Sequence, residues 1–247
     1  MSEARLPRDV PPVTPADAQL VAVEPQLVRP RPRSVVRQCR VCRGTLPEGM
    51  PLCPTCQVIQ GQLGWLHLGM EPISLYRKPS LLRDWLTYYK PGGDEFIPKY
   101  GLHLQQILHG FFNAALERQD PWSPAAFDCF TVVPSTRRTG VHPLVPWATS
   151  AFTAFGLAPA KLLSPGPDPV GHRLAAKQGF VATGGRGRTV LLLDDVYTTG
   201  ARAHSAALAL IEGGADVRVV VPIGRRINPD FSPGDSAYWN FTQAPRP

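Results

Sequence analysis

No apolar run in this 247-residue chain approaches the ~18 residues that a membrane-spanning helix needs. The amino end also lacks the continuous apolar core of a secretory signal. These two absences lead to the expectation of a cytoplasmic protein with no membrane partner. Cysteine is scarce: there are five, and four of them fall within residues 39–56. A chain with no secretion signal is not expected to use so few thiols as a disulfide framework. Charged residues are a modest 18% and hydrophobic ones 43%, an ordinary balance for a globular chain with room for a sizeable core. The length leaves no space for a glutaminase domain beside a second domain, which counts against an amidotransferase.

Proline and positive charge are what the chain has in excess. Many of the 28 prolines lie in the first fifty and last twenty residues, and the formal net charge is +7 with a pI of about 9.4. A basic balance suits nucleic acid, and it equally suits a small substrate carrying several phosphates. Residues 1–37 are rich in proline and arginine, show no sustained helical or strand period, and have little apolar mass to bury. They are expected to form a disordered leader. Arg29, Arg31 and Arg33 alternate with prolines and have no interleaved aromatics for base stacking, although a basic arm for nucleic acid stays open as a second reading.

Cys39, Cys42, Cys53 and Cys56 then form CxxC, ten residues, CxxC. Each pair can present two thiolates from a tight turn, and two such knuckles make the tetrahedral sulfur set that zinc prefers. A redox CxxC is the alternative, but that motif would stand once, at a strand-to-helix turn. Four thiolates leave no open coordination position, so the expected zinc is structural and the module spans residues 38–60. The fifth cysteine, Cys129, sits in an apolar strand and reads as a small core residue.

The densest chemistry lies at residues 189–203, TVLLLDDVYTTGARA. Residues 190–193 are continuously apolar, as in a central strand of a parallel sheet buried on both faces. Asp194 and Asp195 follow at the carboxyl end, where open α/β sheets place ligands. Val196 and Tyr197 lead into Thr198-Thr199-Gly200, after which Ala201 opens an Ala-rich helix over residues 201–212. Free N–H groups at that helix end attract phosphate, the hydroxyls add donors, and the carboxylates can accept from a pair of sugar hydroxyls. A structural turn, or an acid pair holding a metal, is the plainer alternative.

This stretch resembles the phosphoribosyl-pyrophosphate (PRPP) motif of type I phosphoribosyltransferases, and is most similar to ComF-like members that carry a cysteine-rich zinc segment. The resemblance implies a parallel sheet flanked by helices over residues 71–226, with a small zinc-ribbon-like module before it. It implies that Asp194 and Asp195 anchor the ribose hydroxyls while Thr198, Thr199, Gly200 and Ala201 cradle the 5-phosphate. Residues 127–133 read as a second buried strand, and Pro134, Ser135, Thr136 and Arg137 after it resemble the family's diphosphate loop. Lys90, before Pro91-Gly92-Gly93, stands where relatives often keep a lysine that reaches a phosphate. Residues 164–179 correspond to a mobile hood, with Arg173 and Lys177 as its candidate phosphate contacts; plain surface charge is the alternative for all three.

Two departures from the family pattern matter. An Arg-Gly-Phe-Asn-Gln run is replaced by Thr139-Gly140-Val141-His142-Pro143-Leu144, which puts the acceptor and turnover in question, and Arg202 stands where a threonine is common. The implied chemistry is transfer of ribose 5-phosphate from PRPP, with Mg2+, to an unidentified nitrogen acceptor. A PRPP-sensing or DNA-handling protein is the non-catalytic alternative, and a homodimer is a further expectation.

Elsewhere, Ser80 is expected to cap a helix with apolar positions at residues 81, 82, 85, 86 and 89. Residues 100–117 make a second amphipathic helix, residues 146–155 a third, and residues 161–163 begin a short strand. Residues 57–72 read as a connection, and residues 216–222 as another parallel strand. Residues 227–247 form a Pro-rich tail that packs loosely or covers an edge.

Overall fold

The computed structural model describes residues 27–30, 37–64, 68–92, 95–136 and 140–244. Most of the expected leader, including Arg31 and Arg33, lies outside the described residues, as do Arg137 and Thr139 of the predicted loop after the second strand.

The apolar, β-branched runs form a four-stranded, wholly parallel sheet. Its strands are β1 (Ser74–Tyr76), β2 (Cys129–Val132), β5 (Thr189–Tyr197) and β6 (Asp216–Arg226), in the order β1-β6-β5-β2. Strands β3 (Leu163–Pro165) and β4 (Phe180–Ala182) form a separate antiparallel ribbon. The register pairs Tyr76 with Arg226, Tyr197 with Arg225, and Val132 with Leu193. The carboxyl ends of all four strands therefore open on one side of the sheet.

Parallel strands must be covered on both faces, because side chains alternate along each one. Leu191, Leu193, Val221 and Ile223 belong to one core, with α2 (Leu81–Tyr88), α3 (Pro98–Glu117) and α4 (Leu144–Phe152). That core is aromatic: Phe112 and Phe130 each meet Phe152 edge-on at 4.9 Å between ring centres. Val190, Leu192, Val217 and Val220 belong to the opposite core, with α5 (Ala201–Glu212) and the cysteine module. Small alanines on α5 let it lie close to the sheet on this side.

The helices start where their sequences allow. Ser80 caps α2 by accepting from the Arg83 N–H at 3.3 Å, and Pro98 takes the first position of α3, where its missing N–H costs nothing. Gly101 lets α3 approach α4: a Cβ there would fall 2.0 Å from the Trp147 ring.

Four features differ from the sequence-based expectation. The connection after Cys56 is helical, α1 (Pro54–Leu63), started by Pro54 and ended by Gly64 in the left-handed conformation. The tail contains α6 (Pro233–Gln243), capped by Ser232, and its Tyr238 and Trp239 pack on Leu75 and Ile227. Strand β5 runs on through both acids to Tyr197, because its pairing with β6 continues to Arg225. Val28, expected within the leader, lies antiparallel to Leu75: its carbonyl accepts from the Leu75 N–H at 2.7 Å. An unpaired edge strand offers such a row of backbone groups.

Candidate functional site

Asp194 and Asp195 are buried although they sit at the sheet's open end; they are 4% and 2% exposed. Neighbouring strand residues face opposite ways, and the two carboxyls consequently meet different surroundings. Asp195 faces the α2 side. Its Oδ2 accepts from the Tyr89 hydroxyl at 2.9 Å and pairs with Lys90 Nζ at 2.5 Å. Burial pushes this carboxyl up, but the charges of Lys90 and His142 and the bonds from Lys90 and Tyr89 outweigh it. Asp195 is held well below the usual carboxylate range, and is ionised. Asp194 goes the other way: burial first, then the charge of Asp195, push it up to about 7 against the pull of Arg202 and Lys90. Two adjacent carboxyls are thus split into a fixed anion and a group poised to hold a proton near neutrality.

The turn after them is tightly determined. Gly200 has φ of 89°, and a Cβ there would fall 2.1 Å from Tyr197 Oη, so only glycine fits. The Tyr197 hydroxyl meets His204 Nε2 at 2.9 Å, and burial pushes the fully enclosed His204 down to about 4, keeping it neutral. Thr199 donates its hydroxyl to the His172 carbonyl. Helix α5 starts at Ala201 with no side-chain cap. Its first N–H groups have no intrahelical acceptor and face the end where the acids lie.

Positive charge surrounds this turn. Lys90 and Arg202 act on Asp194, and His142 and Lys90 on Asp195. His172 is lowered by burial and by the charges of Arg173, Arg226 and Arg202, which places those three arginines near the Thr199 contact. His142 Nδ1 accepts from the Leu144 N–H at 3.2 Å and so orients its ring at the start of α4.

Among the other predicted site residues, Pro134 and Ser135 are half-buried and Thr136 is exposed, directly after β2. Arg137 lies outside the described residues. Arg173 and Lys177 are exposed on the 166–179 segment. Its backbone is tied to α1 and α5: Gln62 donates to the Arg173 carbonyl and accepts from the Ala175 N–H, and Ser205 accepts from the Ala176 N–H. The Lys177 amine stands over Gly64, at the carboxyl end of α1.

The four module cysteines come together as a second site. Their sulfurs all lie within 4.8 Å of one another, all four residues are buried, and none is in a disulfide. Cys42 Sγ and Cys53 Sγ are 3.5 Å apart; a tetrahedron of Zn–S bonds near 2.3 Å has edges of about 3.8 Å. The donor set therefore fits zinc. The four thiols are coupled: hydrogen bonds from Cys42, Cys53 and Cys56 hold the Cys39 thiol well below its ordinary range, and bonds within the same cluster push Cys53 and Cys56 well above theirs.

Two residues outside the predicted site join it. Tyr89 reads from spacing as the end of an apolar stripe, yet its hydroxyl is spent on Asp195; its position next to Lys90 is the signal. From sequence, Gly224, Arg225 and Arg226 follow a strand's carboxyl end as candidates to help line the site, with no role assigned to Arg225. It donates from Nη1 to the Thr198 carbonyl at 2.8 Å and from Nε to the Cys42 carbonyl at 3.0 Å.

No protein-family model matches the chain, and no curated protein sequence does. Among solved structures it is similar to Leishmania donovani UMP synthase, with 16% identity, a TM-score of 0.34, and coverage of 59% of this chain and 26% of that one. It therefore spans about a quarter of that protein's length. It is also similar to adenine phosphoribosyltransferase from Leishmania tarentolae (13% identity, TM-score 0.35, 61% of this chain and 90% of that one). The Leishmania donovani adenine phosphoribosyltransferase is comparable, with 16% identity, a TM-score of 0.33, and coverage of 62% and 83%. Likenesses of this degree decide nothing about function, which has to be read from the residues at the carboxyl end of β5.

Proposed function

We propose that this chain binds PRPP at the carboxyl end of β5 and transfers its ribose 5-phosphate group to a nitrogen acceptor. One observation carries the reading: two buried acids, a glycine-restricted Thr-Thr-Gly turn and an uncapped helix N-terminus follow one another, ringed by Lys90, Arg202 and His142. The 5-phosphate would sit on the amides of residues 199–202, with Arg202 adding charge. Asp195, a permanent anion, would accept from one ribose hydroxyl, and Asp194 from the other. The diphosphate would lie toward Ser135, Thr136 and Arg137, with the 166–179 segment held over the turn by the Thr199–His172 contact.

In the reaction, the bond from ribose C1 to the diphosphate oxygen breaks and its electron pair leaves with the diphosphate. The acceptor nitrogen forms the new bond to C1 and releases its proton. Mg2+ bound with PRPP would supply charge neutralisation to the diphosphate. The protein's share is positional and electrostatic, namely fixing the sugar, offering cations to the leaving group and excluding water. Zinc would belong to Cys39, Cys42, Cys53 and Cys56 and act on structure alone, since four thiolates fill its coordination.

Calorimetric titration of PRPP with Mg2+ tests the reading. The wild type is expected to bind, and the Asp194→Asn/Asp195→Asn double variant to lose at least about 10-fold in affinity. Folded, zinc-loaded wild type that does not bind PRPP overturns it, as does a double variant that binds equally well.

A further inference from the structure

The cysteine module and the 198–200 turn are far apart in sequence, yet one side chain touches both. Arg225 extends from β6 opposite Tyr197 in the register. Its guanidinium donates from Nε to the Cys42 carbonyl at 3.0 Å and from Nη2 toward Cys42 Sγ at 3.8 Å, while Nη1 reaches the Thr198 carbonyl at 2.8 Å. The same group lies 5.3 Å from the centre of the Tyr197 ring. Gly44 lies close beside it, for a Cβ there would stand 3.0 Å from Nη2. Tyr197 continues the chain of contacts, since its hydroxyl is the atom that restricts Gly200 to glycine.

We propose that Arg225 is a positioning residue that couples metal occupancy of the four-cysteine centre to the conformation of the phosphate-binding turn. A tetrathiolate zinc centre carries net negative charge and takes hydrogen bonds in its outer shell, which fix ligand orientation. Arg225 supplies such a bond and spends its other arm on the Thr198 carbonyl. Turning that carbonyl toward Arg225 leaves the amides that follow it for the ligand. Without the metal no bond ties the four sulfurs together, the module loosens, the Cys42 anchor moves, and the guanidinium no longer holds Thr198. Planar, forked donation is what lets one residue bridge the two sites, and a lysine cannot reproduce it.

The proposal rests on the phosphate-site reading for its ligand but not for its structural half. Coupling of this kind is reciprocal: if zinc tightens ligand binding, ligand tightens zinc binding by the same factor. The experiment measures ribose 5-phosphate affinity by calorimetry, and zinc affinity by equilibrium competition with a chromogenic chelator, each with and without the other. Wild type, Arg225→Met and Arg225→Lys are compared after their melting temperatures establish that each is folded. In wild type the two reciprocal factors are expected to agree at about 10-fold; in Arg225→Met both fall to about 1, with Arg225→Lys between them. A residue of merely structural importance would lower stability without abolishing this mutual dependence.

Arg225→Met with ligand affinity within 2-fold of wild type and an undiminished reciprocal factor would overturn the proposal. Wild type that binds neither ribose 5-phosphate nor PRPP would defeat the phosphate reading instead. Hydrogen exchange at the amides of residues 198–201 then decides the coupling. Exchange about 10-fold faster on zinc removal and in Arg225→Met sustains it, and unchanged exchange in both overturns it.

Discussion

The two faces of the central sheet are covered in contrasting ways. On one, α2, α3 and α4 bury Phe112, Phe130, Trp147 and Phe152 against Leu191 and Leu193, so stability there comes from apolar area and close ring contacts. On the other, α5 offers mainly alanines, and the remaining volume is filled by a module that buries four cysteines beside Val41, Leu52, Ile59 and Leu63. Clustered thiols supply little hydrophobic free energy for their number, and a metal joining them would add binding free energy to folding. The first face is finished by folding alone, while the second is expected to need a metal. The Thr-Thr-Gly turn lies at the end of β5 between them, with Asp195 tied to the aromatic side through Tyr89 and the 198–200 turn tied to the cysteine side through Arg225.

Removing the metal should therefore have the largest effect, and an uneven one. One zinc per chain is expected by elemental analysis. Chelation is expected to cost at least about 5 kcal/mol of stability, a fall of about 10–20 °C in Tm for a chain of this size. Hydrogen exchange should accelerate first in α1 and α5 and last in α3 and α4. A folded, metal-free protein with unchanged Tm, or uniform acceleration on both faces, would remove the distinction between them.

The converse break is Phe112→Ala. Phe112 is fully buried and meets Phe111 and Phe152 edge-on. Its truncation leaves a cavity and is expected to cost about 3–5 kcal/mol. Zinc affinity measured on the folded variant should stay within 2-fold of wild type, since none of the described residues of the cysteine module belongs to that core. A coupled loss of zinc would mean that the faces fold as one.

The two faces also differed in how readily they could be read from sequence. Periodicity placed α2, α3 and α4 well, because aromatic and aliphatic side chains recur every three or four residues, and the Ser80 cap and Pro98 mark helix starts. The 201–212 helix was legible from its alanines and the Gly213-Gly214 stop. The cysteine spacing announced the metal donors, but helix α1 right behind them was missed, since its polar residues (Gln57, Gln60, Gln62) follow no apolar stripe. The tail helix was masked by its prolines, although Ser232-Pro233 followed by Asp235 is a helix start in its own right. At the site, the acids and the Thr-Thr-Gly turn were visible because they are contiguous. Tyr89 was not, and Arg225 was visible only as a residue able to line the site, because their roles come from partners 27 to 183 residues away that only the fold brings near.

The finest contrast is between the two acids, and pH reads it. Asp194 is pushed up to about 7 in the folded chain, above its ordinary carboxylate value of 3.8. As pH rises through this window the unfolded chain gives up the proton first, while the folded chain still holds it. Stability is thus present below the unfolded value and lost progressively up to about pH 7, after which the loss is constant. Three pH units correspond to at most about 4 kcal/mol, and relaxation around the carboxyls should reduce this to about 1–3 kcal/mol. Asp194→Asn keeps the shape and removes the titration. Its Tm is expected to match wild type near pH 4, to exceed it increasingly toward pH 7, and to keep a constant advantage above that. Contributions common to both proteins, such as the lowered His204, cancel in this difference. Asp195→Asn should do the reverse, because it discards an anion that Lys90 and Tyr89 already satisfy and leaves Lys90 without its partner. It should destabilise at neutral pH, with the deficit shrinking as acid protonates the wild-type carboxyl. Matching pH profiles for the two variants would mean that the sheet's two faces impose the same environment on both carboxyls.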